Sequence, residues 1–590
     1  MRVLSENDAR LEEALRQEVS PLELWKHAET LSKWQRLSGT ADEAKAAGYV
    51  QQTLESCGVG VTVYHFESLL GYPGPASLSV LSPESGNIRC ITHPFAAPTS
   101  EQGLEGELVD VAGGAAADYE GRQVAGKIVL VQGLASPEKA RLAEDMGATA
   151  EIFINDDSLH EMCLSPVWGT PIPTSARRLP GTPCISINRT DGMRLKSLLA
   201  RDTVRVSIKA RPRLEWKEVP LVVGEVKGDT DEFVMLSGHI CSWYHGAIDN
   251  AGANAAMLEI ARLLQGHRQR LHRSLRIPFW PGHSQGRYSG STWYADNFWQ
   301  DIRRNCVLHL NIDCVGAAGA SIYEACSMAE THDLAISTIR EVTGKVPHPK
   351  RMPRAGDQSF WGIGIPSMLL TLSLVPPEMM NDVSEAVVGG AGSGEPTYGG
   401  LPWYWHTPDD TVDKLDKDVL VRDAQVYLSA AFRSCNAPVL PFNYLHAAEE
   451  ILAVLLELQG KAKGVFDMSG LLVQAMELKN RTAKLQEQVD ALRAKLADTE
   501  LPPADVLRVN RCLKQLGHIL IPINYTVLGE FDHDAATPLP PIPGLQPVAQ
   551  LARLEPGTDS FRFLKTELVR QSNRVAHALT RAIEAVAEVV

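Results

Sequence analysis

Hydrophobic positions in residues 211–435 form short apolar runs separated by longer segments of helical spacing. The apolar runs are VMLSGH, LRIPFW, CVLHLNID and PSMLLTL, and the segments between them carry apolar residues every three or four positions. This alternation predicts a mainly parallel sheet with helices on both faces. Residues 1–103 begin with two amphipathic segments and an alternating one, so we expect them to form the first part of the same α/β domain.

Two other stretches of the chain have different patterns. Residues 104–210 contain short β-type runs separated by Gly, Pro and Asp turns, with one helical segment between them, which predicts a compact β-rich insert. Residues 436–590 carry many charges and apolar residues at helical spacing, which predicts a helical domain.

Composition narrows the function classes. The 590 residues include 57 Lys+Arg and 71 Asp+Glu, for a net charge of −14, which argues against general nucleic-acid binding. No window approaches the roughly 20 consecutive apolar residues of a membrane helix, and the first residues lack the apolar core of a secretory signal. The ten cysteines form no CxxC pair. We therefore expect a cytoplasmic protein with reduced thiols and no membrane partner.

Histidines and aspartates stand where the predicted strands end, and parallel strands bring such ends to one edge of a sheet. Imidazole and carboxylate are ligands for Zn and also for Fe, Mn or Co. A shared metal site is therefore expected. Its candidates are His239 after VMLSGH, Asp249 before the next helix, His283 with Ser284 after LRIPFW, Asp313 in CVLHLNID, and His406 in WYWHTPDD.

These segments resemble the motifs of a known family. GHICSWYHGAIDNAGANAAMLEIARLL, HLNIDCVG, GDQSFWGIGIPSMLL and WHTPDDTVDKLD resemble, in order, those of the co-catalytic zinc aminopeptidases and the glutamate carboxypeptidase II and transferrin receptor group. The resemblance implies an α/β fold of zinc exopeptidase type, with a mixed, mainly parallel sheet sandwiched by helices. It also implies a protease-associated insert and metal ligands at His239, Asp249, Asp313 and His406. With the amphipathic C-terminal tail, it predicts a homodimer formed through residues 436–590.

One segment departs from the family pattern. Where the family has W-x-x-E-E-x-G, this chain has WPGHSQG, so the resemblance places His283 at the general-base Glu and Ser284 at a metal-binding Glu. Cys241 replaces the Asp that orients the first ligand histidine. Imidazole, with a pKa of about 6.5, suits proton transfer near neutral pH, whereas a serine hydroxyl is a poor zinc ligand. The sequence therefore leaves open whether each chain binds one or two Zn ions.

The leading hypothesis is a metal-dependent hydrolase of peptide or amide bonds in a short peptide or amino-acid conjugate. His283 would act as the base or join the metal ligands. The alternative is a non-peptidase relative, either an inactive binding protein or a metalloenzyme of another reaction class. The sequence favours neither cleavage from the amino end nor cleavage from the carboxyl end.

Four further residues are predicted to contact substrate: Arg287, Tyr288, His245 and Trp405. Arg287 suits bidentate binding of a carboxylate, with a structural salt bridge as the other interpretation. The Gly-rich run 387–400 predicts a mobile lid, and the aspartates after His406 are expected to cap and solvate the following turn.

Overall fold

The computed structural model describes residues 3–380, 399–495 and 503–590, so most of the predicted lid lies outside the described residues. The strands, in chain order, are β1 (Gly60–Tyr72), β2 (Ala76–Ser82), β3 (Gly86–Ile88), β4 (Cys90–Thr92), β5 (Leu104–Asp110), β6 (Ile128–Gln132), β7 (Ala150–Ile154), β8 (Cys184–Ile187), β9 (Arg205–Ala210), β10 (Arg213–Val226), β11 (Phe233–His239), β12 (Ser274–Trp280), β13 (Cys306–Asn311), β14 (Ile322–Ser327), β15 (His348–Arg351) and β16 (Ser367–Leu374).

Helices lie before, between and after these strands along the chain. In chain order they are α1 (Glu6–Gln17), α2 (Pro21–Leu31), α3 (Ala41–Ser56), α4 (Pro137–Asp145), α5 (Arg189–Leu199), α6 (Gly252–Gly266), α7 (Ser289–Asn297), α8 (Trp299–Asn305), α9 (His332–Thr343), α10 (Lys417–Asn436), α11 (Tyr444–Lys461), α12 (Ser469–Lys495), α13 (Pro503–Tyr525), α14 (Val548–Leu551) and α15 (Asp559–Ala587).

The first sheet has the strand order β1-β10-β12-β11-β13-β16-β14-β15. Strands β12, β11, β13 and β16 are mutually parallel, while β1, β10 and β14 pair antiparallel with their inner neighbours. The central strands β11 and β13 are buried along their whole length, which explains their unbroken apolar sequences. One core cluster, including α2, α6 and α10, covers one face, and a second, including α7 and α8, covers the other. The predicted mixed, mainly parallel sheet sandwiched by helices is confirmed.

The second sheet has the order β3-β2-β9-β5-β6-β7-β8-β4, and its strands β5, β6, β7 and β8 are parallel. It contains the short strands expected in the insert, and β4 pairs with β8 at one edge. At the other side, β9 pairs with both β2 and β5. The sheet therefore also takes strands from residues 76–92, upstream of residue 104, where the sequence places the start of the insert.

The C-terminal region is helical, as expected. Helix α12 packs against α11 and α15, and α13 also packs against α15. In the described parts of the chain, no helix has the length and apolar character needed to cross a membrane. Between β12 and β13 of the first sheet, the chain forms two helices, α7 and α8, with Phe298 between them.

Candidate metal centre

The carboxyl ends of three neighbouring parallel strands place three of the candidate side chains at one sheet edge. His239 is the last residue of β11 and pairs in register with Trp280 at the end of β12. His283 follows Trp280 by three positions, and Asp313 follows the end of β13 by two. Strand order and register, which bring β12, β11 and β13 side by side, therefore assemble the site.

The loop from His239 to α6 is shaped by Arg36, a fully buried residue between α2 and α3. Its guanidinium donates hydrogen bonds to the carbonyl oxygens of Ile240, His245 and Gly246, each at 2.9 Å. These bonds satisfy carbonyls that would otherwise be buried without partners. The folded loop then delivers Asp249 to the centre just before α6.

Asp410 holds the same loop from the other side. Its carboxylate oxygens accept hydrogen bonds from the backbone N–H groups of Ile248 and Asp249, at 2.9 and 3.2 Å. Burial raises the pKa of Asp410 to about 7. Asp410 is only 1% exposed, so the expectation that the aspartates after His406 are solvated is wrong for this residue.

Three donor atoms converge at the sheet edge. Nε2 of His239 lies 2.9 Å from Oδ1 of Asp249 and 3.4 Å from Oδ1 of Asp313. All three atoms are buried, and none has a hydrogen-bond partner among the described residues. Buried polar atoms normally have partners, so an unpaired cluster of one imidazole nitrogen and two carboxylate oxygens has the character of a cation site.

The electrostatics agree with that interpretation. Burial disfavours a charged imidazole, yet the carboxylates of Asp313 and Asp249 outweigh it and raise the pKa of His239 well above its usual value. Burial likewise disfavours the carboxylate of Asp249, but His239 and His406 hold its pKa well below the usual value. The carboxylates thus create a strong local demand for positive charge, which a bound dication would satisfy.

His406 completes this side of the centre from a loop far along the chain. Its Nε2 lies 2.9 Å from Oδ2 of Asp249. Its Nδ1 donates a 2.6 Å hydrogen bond to the carbonyl oxygen of Glu161, a residue of the insert. The ring of Trp405 stacks on it, with centroids 3.4 Å apart, so Trp405 supports the candidate ligand. The other ring nitrogen therefore faces the centre in a fixed orientation.

The insert holds this loop at two further points. Nδ1 of His160 donates a 2.7 Å hydrogen bond to the Trp405 carbonyl, and the Glu161 N–H donates a 3.1 Å bond to the His406 carbonyl. The Glu161 carboxyl accepts a bond from the Tyr244 hydroxyl at 3.1 Å, and burial raises its pKa to about 8.

His283 lies face to face with His239, with ring centroids 3.9 Å apart and an angle of 15° between the planes. Its Nδ1 donates a 2.9 Å hydrogen bond to Asp357, which is fully buried and accepts a second bond from the Ser291 hydroxyl at 2.8 Å. No described residue forms a hydrogen bond with its Nε2. This arrangement leaves His283 with one fixed nitrogen and one available nitrogen beside the cation site.

The remaining predicted residues have more varied positions. Ser284 is buried and its hydroxyl bonds to no described residue. Tyr288 is buried, and its ring lies 4.9 Å from that of His283. His245 forms a 2.9 Å hydrogen bond with the Ser32 carbonyl, so its hydrogen bond runs to the end of α2 instead of to the other candidates.

Arg287 faces the C-terminal region. Its Nη2 donates a 2.9 Å hydrogen bond to the Ala536 carbonyl, while its buried Nε has no hydrogen-bond partner in the described part of the chain. Nearby, Arg354 donates to the carbonyls of Ala535 and Asp534, at 2.8 and 3.0 Å. The structural salt bridge considered for Arg287 does not occur with any described residue.

Sequence reasoning missed the supporting roles of Arg36, Asp410, Glu161 and Asp357. Only Asp357 and Asp410 lie in segments that resemble family motifs. Arg36 and Glu161 lie in segments without any such signal and reach the centre through contacts between distant parts of the chain.

Fold and site together define a metallopeptidase-type α/β protein with a β-rich insert. Residues 222–431 match the model of peptidase family M28, and residues 104–195 match that of the PA domain. The chain thus contains a region similar to the M28 peptidases, as its motifs indicate.

Individual relatives agree with this assignment. The chain is 27% identical to a probable glutamate carboxypeptidase, VP8, of Zea mays, over 76% of this chain and 73% of the relative. It is 25% identical to aminopeptidase YwaD of Bacillus subtilis, over 69% of this chain and 82% of the relative. Among solved structures, a peptidase M28 precursor from Shewanella amazonensis has a TM-score of 0.58 and 20% identity, and covers 74% of this chain and 98% of its own.

Proposed function

We propose that the protein is a metal-dependent hydrolase of peptide or amide bonds in short peptides or amino-acid conjugates. The observation that carries the proposal is the convergence of unpaired buried donor atoms from His239, Asp249 and Asp313 beside an imidazole held by a buried carboxylate. His406 would complete the ligand set through its fixed Nε2. Zinc suits these nitrogen and oxygen donors, and Fe, Mn and Co accept the same atoms.

These residues would hold a zinc ion, whose Lewis-acid chemistry would be to polarise a substrate carbonyl and to acidify a water molecule. His283 then accepts the proton of the attacking water at Nε2 and returns it to the leaving amine. Asp357 accepts the Nδ1 proton of His283, which fixes the tautomer with Nε2 free, and stabilises the imidazolium after proton transfer. Ser291 holds Asp357 in place through its other oxygen.

A base role for His283 fits its geometry better than metal ligation. A nitrogen of His283, one of His239 and a carboxylate oxygen of Asp313 all lie within 4.8 Å of one another, so distance alone permits ligation. The two rings are nearly parallel, however, at 15°. Lone pairs lie in the ring planes, so those of parallel rings run side by side and do not converge on one ion.

The test compares His283→Ala with His446→Ala, a histidine of the C-terminal helices bonded to Asp333. Hydrolysis of a dipeptide library is followed by amine release, with and without a chelator. We expect chelator-sensitive release in the wild type and in His446→Ala, and a kcat lower by about 10²–10⁴ in His283→Ala with zinc content retained. Loss of zinc together with kcat would reassign His283 as a ligand. Absence of release from every peptide would favour the binding-protein alternative.

The same library, with either terminus blocked, decides between cleavage from the amino end and from the carboxyl end. The buried Nε of Arg287 forms no hydrogen bond with a described residue, and its guanidinium lies over the Tyr288 ring, which supports recognition of a substrate carboxylate. Loss of turnover on amidation of the carboxyl terminus, with N-acetylation tolerated, would agree with that recognition.

We further propose a cytoplasmic homodimer. All ten cysteines are free in the structure, which supports a reducing compartment. Val473, Met476 and Phe563 on α12 and α15 are exposed at 69%, 48% and 72%, which supports a contact through the C-terminal helices. Light scattering at micromolar concentration should give twice the chain mass, and a monomer mass would contradict the dimer.

A further inference from the structure

The thiol of Cys314 lies in the metal centre, and no step of the proposed reaction uses it. Its sulfur and carboxylate oxygens of Asp249 and Asp313 all lie within 4.8 Å of one another. Oδ1 of each carboxylate is buried without a hydrogen-bond partner among the described residues, and Asp249 is only 5% exposed. The sulfur therefore belongs to a group of three potential donors, and one oxygen of each carboxylate forms no hydrogen bond with a described residue.

The backbone conformation and two hydrogen bonds of Asn250 hold the Cys314 thiol in this position. Cys314 has φ +49°, a left-handed conformation that residues other than glycine seldom adopt. Asn250, which follows Asp249, ties the turn on both sides: its side-chain oxygen accepts from the Cys314 N–H, and its Nδ2 donates to the Ile312 carbonyl, each at 3.2 Å. One residue thus fixes the segments of Asp249 and Cys314 relative to each other, as a shared binding site requires.

The centre also lacks a donor that its relatives' motif supplies. Ser284 stands where the resemblance expects a metal-binding Glu, and its hydroxyl makes no bond to a described residue. A neutral hydroxyl replaces neither the ligand strength nor the negative charge of a carboxylate.

We propose that Cys314 binds the metal of this centre as a thiolate, together with Asp249 and Asp313, and supplies the anionic donor that Ser284 cannot. This inference rests on the proposed function only in requiring that a metal occupies the centre. On binding, the thiol proton leaves to solvent and a sulfur–metal bond forms.

The distances suit such a bond. A thiolate sulfur and a carboxylate oxygen that share one tetrahedral zinc ion lie about 3.5 Å apart, given bonds of about 2.3 and 2.0 Å. The 4.8 Å limit on the present separations allows that geometry with small side-chain rotations. A soft sulfur donor favours zinc over Mn, which prefers oxygen ligands, so Cys314 also narrows the choice of metal.

Cys241 provides a matched control, since it is a second buried thiol near the same histidine. Its sulfur lies 3.9 Å from Nδ1 of His239, and the same nitrogen is bonded to the Cys241 carbonyl. Nε2, the other ring nitrogen, is the one that faces the centre. Cys241→Ser therefore removes a thiol beside Nδ1 of His239, whereas Cys314→Ser removes one beside the carboxylates of Asp249 and Asp313.

The experiment is zinc X-ray absorption of the full-length wild type, Cys314→Ser and Cys241→Ser, each loaded with one zinc ion per chain. We expect a sulfur neighbour at about 2.3 Å from zinc in the wild type and in Cys241→Ser, and only nitrogen and oxygen neighbours in Cys314→Ser. Cobalt loading gives a second reading: the thiolate-to-cobalt absorption band in the near ultraviolet should disappear only in Cys314→Ser.

The wild-type spectrum decides the proposal even if a variant fails to fold. Bound zinc without a sulfur neighbour would overturn the role of Cys314 and leave the hydrolase proposal intact, because peptide hydrolysis is measured separately. A sulfur neighbour that survives in Cys314→Ser would also overturn it. Failure to bind zinc or cobalt at all would overturn this inference and the proposed function together.

Discussion

The two sheets of the molecule share an architecture but contribute differently to the site. Each has eight strands with four parallel strands in the middle. The edge of the first sheet carries His239, His283 and Asp313, whose side chains could bind a metal or move a proton. The loop after β7 of the second sheet carries His160 and Glu161, which hold the His406 loop through one imidazole and through backbone groups.

The difference shows that parallel strand ends gather side chains without determining what those side chains do. At the edge of the first sheet, Nε2 of His239 and Oδ1 of Asp313 are buried without a hydrogen-bond partner among the described residues. In the second sheet, the loop at the corresponding position has a supporting role, because the loop after β7 forms hydrogen bonds with the His406 loop. Substitutions of ligands at the edge of the first sheet should therefore abolish zinc binding and turnover, whereas substitutions in the loop of the second sheet should only weaken them.

The largest expected effect is removal of a ligand from the first edge. His239→Ala takes away the nitrogen nearest both carboxylates, so zinc content and peptide turnover should both fall below detection. Metal analysis by mass spectrometry and the peptide assay measure the two losses. Normal zinc in this variant would contradict the ligand assignment, and His446→Ala is the control that should retain both zinc content and peptide turnover.

Asp357→Asn tests the orientation of His283. The amide can donate to Nδ1 and so favour the wrong tautomer, and kcat should fall about 100-fold or more, with KM and zinc content almost unchanged. Steady-state kinetics measure kcat and KM, and metal analysis measures the zinc content. The control is Ser291→Ala, which leaves the carboxylate in place and should cost less than Asp357→Asn. A rise in KM alone would place Asp357 in substrate binding instead.

His160→Ala tests the second edge. Loss of its bond to the Trp405 carbonyl should loosen the His406 loop and weaken zinc affinity about 10-fold, the size of effect seen for groups that orient metal ligands. Competition with a chromophoric chelator measures the affinity. His93→Ala is the matched control, because this buried histidine bonds to Ser186 of the insert and not to the centre. Equal affinities in both variants would show that the bond from His160 does not support the ligand.

The smallest effect on the reaction should come from Glu151→Gln, inside the insert. Glu151 is fully buried, and burial raises its pKa from 4.5 to about 8. The folded state therefore binds a proton more tightly than the unfolded state, and stability should fall between pH 5 and 8 by up to about 1.4 kcal/mol per pH unit.

Urea unfolding at several pH values measures that slope. Glu151→Gln should flatten it and leave zinc affinity at the wild-type value. An identical slope in the variant would mean that Glu151 is ionised in the folded protein.

The sequence predicts those parts of the molecule that local patterns encode. Apolar runs identify β11, β12 and β13, and the parallel pairing of these strands brings His239, His283 and Asp313 to one edge. The support of His406 by Glu161 joins residues 245 positions apart and leaves no local pattern. The role of Arg36 is hidden for a similar reason, since a surface arginine and a buried one look alike until the loop of residues 240–246 folds around it.

The bonds from Arg287 and Arg354 to the carbonyls of residues 534–536 have a consequence for anyone who wishes to dissect this protein. A recombinant fragment limited to residues 222–431 would carry both guanidinium groups without the carbonyls they contact, and His406 without its insert carbonyl. Such a fragment would include the residues that match the family model, yet it would lack the contacts that hold Arg287, Arg354 and His406 in place. Truncation and domain-swapping studies should therefore treat insert, peptidase sheet and C-terminal helices as one inseparable module.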